Sequence, residues 1–194
     1  MDKKAIKKRE IIEKSIGVVF EKGYNASGVK DLADAAGIPK GSIYNYFENK
    51  EDYLKEALIY YYEVSNKKQF EFLNDKTLMP LDRIRYFFKY MIDSFEEDDL
   101  KKGCLLGKIT QEVSGSNESI REITEKIQND IINAITLNIE EAKQKKQFDS
   151  MFESKDLAEF MYNSWQGTLI RIKSTRQRET LDNFYRLLNG VLLK

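Results

Sequence analysis

The sequence has no histidine, one cysteine, two prolines and ten glycines in 194 residues. Without histidine the commonest general base and the commonest metal ligand are missing, so a His-dependent catalytic triad is excluded. A single thiol, Cys104, excludes an intramolecular disulfide framework and a cysteine-rich zinc site. So few prolines and glycines argue against a loop-rich all-β fold. No apolar run approaches the roughly eighteen residues needed to span a bilayer. The N-terminal stretch MDKKAIKKREIIEK places charge ahead of any apolar segment, unlike a signal peptide. The expectation is a cytoplasmic chain that needs no membrane, with Cys104 as a free thiol. Enzyme chemistry would have to rest on carboxylate, lysine or tyrosine. No acid–base pair of recognisable spacing supports it, so neither a catalytic residue nor a cofactor or metal is expected.

What the sequence does contain is apolar residues at helical spacing. It is 41% hydrophobic, 12% aromatic and 33% charged, enough to bury a core. Lys+Arg and Asp+Glu both number 32. That balance hides an asymmetry: residues 1–50 hold ten basic residues against seven acidic, an excess of three positive charges. Either this is an ordinary solvated surface or a basic N-terminal module that meets an anion.

The apolar period is helical nearly throughout. Ile12, Ser15, Ile16, Val19 and Phe20 mark a first helix that Gly23 ends. Ser27 is expected to cap a second, with Val29, Leu32, Ala33 and Ala36 on its inner face. Gly37 and Pro39 form a turn, and a short helix runs from about Lys40 to Phe47. Asn49 caps a long helix toward residue 73. The acidic run Glu96–Asp99 and then Gly103 interrupt a helix that begins at Asp82. A short helix follows from Cys104, then a long one to Lys146. Ser154 caps the next, and a last helix carries Leu181, Phe184, Leu188 and Leu192. The expected fold is all-α. A small N-terminal helical bundle, residues 1–50, precedes a larger one, residues 51–194.

In GVKDLADAAGIPKGSIYNYF, residues 28–47, two short helices flank a tight turn. Ile38 and Ile43 would anchor the second, leaving Lys40, Gly41, Ser42, Tyr44, Asn45 and Tyr46 facing outward. Such donors and small residues suit a major groove, although spacing alone fits a plain helical hairpin equally well. The wider run from Gly23 to Leu54 resembles the DNA-binding domain of TetR-family transcriptional repressors. The match rests on Gly23, Val29, Leu32, Ala33, Ala36, Gly37, Lys40-Gly41-Ser42, Tyr44, Tyr46-Phe47 and Lys50-Glu51. Ser27 stands where the family often has Thr, and Pro39 where many members have Ser. The resemblance implies a homodimer that binds a double-stranded palindromic operator, with residues 1–50 as a three-helix helix-turn-helix DNA-binding domain and residues 51–194 as the ligand-binding and dimerisation domain. It also implies roles: Ser27 and Lys30 on phosphate; Lys40, Gly41 and Ser42 in the groove; Tyr44 and Tyr46 on phosphates; Asn45 at a base; Lys50 on a phosphate. Tyr44 as a partly buried brace is the alternative. Lys3, Lys4, Lys7, Lys8 and Arg9 would add phosphate contacts or simply solvate the helix end.

In the larger region the last two helices would form the dimer interface, the alternative being that their faces pack only within one chain. Leu157, Phe160, Met161, Leu181, Phe184, Leu188, Val191 and Leu192 would supply its apolar area, and Ser164, Gly167 and Thr168 would allow close crossing. Aromatics including Phe88, Tyr162 and Trp165 would line a pocket for a small lipophilic or aromatic effector, or simply form the core. Cys104 follows Gly103, with Lys101, Lys102 and Lys108 close in sequence at a helix start, a setting that favours a thiolate. The segment from Lys101, with the run Trp165–Lys173, is similar to a TetR subgroup of which some members sense electrophiles or oxidants through this cysteine. Lys173 is implied as a further sensing residue. An inert buried thiol is the other reading.

Overall fold

In the computed structural model, residues 2–97 and 104–193 are described. Among them the chain is helical without strands: α1 Lys3–Lys22, α2 Val29–Ala36, a 3-10 helix Lys40–Asn45, α3 Lys50–Asn74, α4 Pro80–Glu97, α5 Leu105–Glu112, α6 Glu118–Gln144, α7 Ser154–Thr175 and α8 Glu179–Leu187. A π-helical turn, Leu188–Leu192, continues α8. The all-α expectation holds. No helix among the described residues is long and apolar enough to cross a membrane. The expected roles of Lys101, Lys102 and Gly103 beside the thiol, and of Asp98 and Asp99 in ending a helix, lie outside the described residues.

Two compact units divide the chain, residues 1–64 with 105–125, and residues 65–104 with 126–194. In the first, α1 buries Ile11, Ile12, Ser15 and Val19, and α2 buries Leu32, Ala33 and Ala36. The small alanines let α1 and α2 pack closely. Gly23 ends α1 at φ 90° and Gly37 ends α2 in the left-handed region at φ 70°, conformations that cost glycine little. Asn49 caps α3 as expected: its Oδ1 accepts from Asp52 N–H at 2.8 Å, and Asp52 Oδ2 accepts from Glu48 N–H at 3.0 Å.

Two expected caps are corrected. Gly28, not Ser27, precedes α2, and Asp31 Oδ2 accepts its N–H at 2.7 Å. Glu153, not Ser154, precedes α7, and Ser154 is buried in its first turn. In each case the serine lies one step from the cap position.

In the second unit α4, α7 and α8 supply the core. Phe88 sits edge-on to Trp165 and Phe184, with ring centroids 6.3 and 5.2 Å away, and Phe87 adds a ring at 5.0 Å. Arg83 is buried in this unit. Its guanidinium donates to the carbonyls of Asp75 (2.6 Å) and Leu78 (3.1 Å), to Asn138 Oδ1 (3.1 Å) and to Glu141 (2.7 Å). A buried guanidinium is tolerated because its donors are satisfied in this way.

Candidate nucleic-acid interface

The segment after Gly37 is tethered from inside. Pro39 O accepts from Ser42 N–H at 2.8 Å, and Ile43 O accepts from Tyr46 and Phe47 N–H at 3.0 Å each. Ile43 and Phe47 are buried, and Phe47 meets Tyr53 edge-on at 5.2 Å. The expected helix to Phe47 is a tighter 3-10 turn ending at Asn45, with hydrogen bonds three residues apart. The opposite side carries Lys40, Gly41, Tyr44 and Asn45, all exposed, with Ser42 and Tyr46 half-buried. Tyr44 is 52% exposed. Among the described residues no hydrogen bond engages the side chains of Lys40, Tyr44 or Asn45. Lys30 is exposed on α2.

Two expected phosphate contacts sit differently. Ser27 is buried: its Oγ donates to Tyr24 O at 2.9 Å and its N–H to Gly23 O and Tyr24 O. Both its donors are used inside the chain, so a phosphate contact from Ser27 is corrected. Lys50 is half-buried. Its ammonium donates to Tyr24 O and stands 4.1 Å from the centre of the Tyr24 ring. Burial holds the Lys50 amine below its ordinary value, partly offset by the charges of Glu112 and Asp31.

The N-terminal basic cluster is largely paired. Lys7 binds Glu10, Lys8 binds Glu56 and Arg9 binds Glu63, each at 2.7 Å. Lys3 and Lys4 are exposed.

Two residues with no assigned role in the interface reach this region from α5. Lys108 Nζ donates to Phe20 O at 2.7 Å and Glu21 O at 3.3 Å, neutralising the carbonyl end of α1. Its ammonium is thus engaged by the end of α1. Glu112 accepts N–H bonds from Tyr24 at 3.0 Å and from Asn25 at 2.6 Å. The sequence carries only a four-residue Lys–Glu spacing as a signal, which does not say what the pair grips.

A family model described as "Bacterial regulatory proteins, tetR family" matches residues 11–62, and one described as "Tetracyclin repressor-like, C-terminal domain" matches residues 80–188. The chain belongs to the TetR family of transcriptional regulators. The HTH-type transcriptional repressor DhaR of Mycobacterium sp. strain GP1 is 30% identical over 96% of this chain and 92% of its own length. The HTH-type transcriptional repressor NemR of Escherichia coli K12 is 26% identical over 84% of this chain and 82% of its own. A TetR regulatory protein from Rhodobacter sphaeroides has the same fold, with a TM-score of 0.85 at 25% identity over 93% of this chain and 96% of that one. These relatives are regulators and not enzymes.

The sensing residues expected of this TetR-family chain are dispersed in burial. Cys104 is half-buried, one residue ahead of α5. Phe88, Tyr162 and Trp165 are buried, and Lys173 is exposed in the last turn of α7. The expected dimer residues also divide. Leu157, Met161, Leu181, Phe184 and Leu188 are buried within the single chain, which corrects their placement between protomers. Phe160, Ile170, Leu187 and Val191 are more than half exposed, and Gly167 lies open on α7. A groove beside them is lined by Phe160, Ser164, Thr168, Arg171, Leu187 and Leu192, among others.

Proposed function

We propose that the chain is a homodimeric repressor that reads a pseudo-palindromic operator and lets go when an effector modifies the Cys104 thiol. The carrying observation is the 3-10 segment: Ile43 and Phe47 anchor it, while Lys40, Gly41, Tyr44 and Asn45 are exposed and uncommitted. A rigid base with free donors fits base edges and phosphates, and the open Gly41 permits close backbone approach. Lys30, Ser42 and Tyr46 lie on the same reading head, with Lys50 at its border. Repression is supported by the names of DhaR and NemR. Dimerisation is supported by the outward apolar set Phe160, Ile170, Leu187 and Val191, since large exposed apolar clusters mark association surfaces. A half-buried thiol at the start of α5 remains open to a small electrophile. The mutual packing of Phe88, Trp165 and Phe184 supports a core role for these rings over an aromatic effector pocket.

The experiment is duplex binding to the promoter of its own gene and those of its neighbours. Binding is expected to fall steeply with salt, because each phosphate contact releases counterions. N-ethylmaleimide is expected to release the wild type and spare Cys104→Ser. No salt-sensitive binding at any such promoter defeats the repressor reading. Equal responses of the two proteins defeat the thiol reading alone.

A further inference from the structure

The grip of α5 on the loop after α1 leads directly to one of the proposed DNA contacts. Both oxygens of Glu112 are used, Oε2 on Tyr24 N–H and Oε1 on Asn25 N–H. Two successive peptide donors on one carboxylate make a small anion nest, here filled from within the chain. Gly23 is part of the cradle: a Cβ there would lie 2.9 Å from Glu112 Oε2, so the carboxylate would have to shift, and the φ of 90° itself disfavours any other residue. Its φ of 90° turns the following peptides toward that carboxylate.

The same residue whose N–H is held, Tyr24, offers its carbonyl and ring to Lys50. Lys50 is the first residue of α3, where the helix dipole disfavours a cation. Its ammonium needs the Tyr24 carbonyl and ring face to stay there. The line of contact is therefore carboxylate to peptide to ammonium, across residues far apart in sequence.

We infer that Glu112 is a positioning residue of the reading head, which fixes the Tyr24 peptide and thereby holds the Lys50 ammonium where it meets DNA. The DNA part of this rests on the proposed function; the positioning part does not. Lys108 joins the same helices, α5 and α1, but grips carbonyls of Phe20 and Glu21 and not the Tyr24 peptide. It supplies the control.

The first arm needs no DNA. Lys50 acylation by an amine-selective reagent is followed by mass spectrometry in the folded full-length chain. In Glu112→Gln the rate, referred to the free amine through the Lys50 pH–rate profile so that loss of the Glu112 charge is separated from exposure, is expected to rise about fivefold, the net worth of one hydrogen bond, and to stay at the wild-type value in Lys108→Ala. Glu112→Asp, which keeps the charge but is one methylene shorter, is expected to fall between, and it serves should Glu112→Gln fold poorly. An unchanged rate in the Glu112 variants overturns the inference, as does an equal rise in Lys108→Ala, which would mean general loosening of α5.

The second arm is operator binding by Glu112→Gln, Lys50→Ala and the double variant. Positioning through Lys50 predicts a double variant no weaker than Lys50→Ala alone, and a salt slope reduced by about one in Lys50→Ala and in the double variant. Additive losses overturn the inference. Absence of binding by the wild type defeats the repressor reading, while the acylation arm still decides the positioning role.

Discussion

The two compact units hold themselves together differently. In the first, charged side chains grip helix ends: Lys108 on the carbonyls of α1, Glu112 on the loop that follows, Asp31 on Gly28 and Asp52 on Glu48. In the second, helices meet through faces: Phe88, Trp165 and Phe184 interlock, and the buried cation Arg83 is satisfied by carbonyls, an amide and a carboxylate. Eight residues of α2 offer little apolar area, so its order comes from its termini and from α1. A helix of 22 residues such as α7 has area to spare and can leave Phe160 and Ile170 outside. Order held from the ends leaves a surface free to touch a partner.

The largest expected effect breaks the second unit through its faces. Leu188 is fully buried, whereas its neighbour Leu187 is 55% exposed. Leu188→Glu is expected to cost about 4 kcal/mol or more, because a buried carboxylate there has no partner. Leu187→Glu is expected to change stability by about 0.5 kcal/mol or less while shifting the protein toward monomer. Urea midpoints and sedimentation separate the two. Equal unfolding by both would contradict the division of α8 into inner and outer faces.

Arg83 comes next. Arg83→Ala is expected to cost about 3–5 kcal/mol in urea denaturation, since it leaves two carbonyls and Asn138 Oδ1 without their donor and takes the buried partner from Glu141. The same cluster sets an acid limit. Arg83, then Lys145 and Lys76, hold the Glu141 carboxyl well below its ordinary value of 4.5. A carboxyl depressed on folding contributes stability that is present above its unfolded value and lost as pH falls toward the folded one. The melting temperature is therefore expected to drop below about pH 4.5, and Glu141→Gln should flatten that drop. An unaltered acid profile in Glu141→Gln would remove this cluster from the account.

The smallest stability effect belongs to the exposed face of the first unit. Tyr44→Phe removes a hydroxyl with no internal partner, so its stability change should stay within about 0.5 kcal/mol. Operator binding should weaken about fivefold, the net worth of one hydrogen bond. Thermal melts beside duplex titrations test both halves. A large loss of stability would show that Tyr44 is structural after all.

Helix content, the stops at Gly23 and Gly37, the Asn49 cap and the outward set at Lys40, Tyr44 and Asn45 were legible in the linear pattern. Each is decided within a turn or two, by periodicity, backbone freedom or a nearby donor. The family was legible too, because the motif from Gly23 to Leu54 is contiguous. The faces of α7 and α8 were harder to read. Both carry apolar residues on more than one side, so Leu187 and Leu188 look alike until the core claims one of them. The serines at 27 and 154 match cap chemistry, but each is buried one step from the cap position, which falls on Gly28 and Glu153.

By itself the sequence determined the local elements and the chemistry offered at the reading head, because those depend on residues close together along the chain. Only the tertiary structure decided what holds that head. Glu112 and Lys108 lie 88 residues from the Tyr24 and Phe20 groups they bind. No local pattern encodes a carboxylate that fits over one glycine and takes two peptide N–H groups. Folding brings them together because the unused backbone donors of the α1–α2 loop and the carbonyl end of α1 demand partners, and α5 presents one charge of each sign at the right spacing.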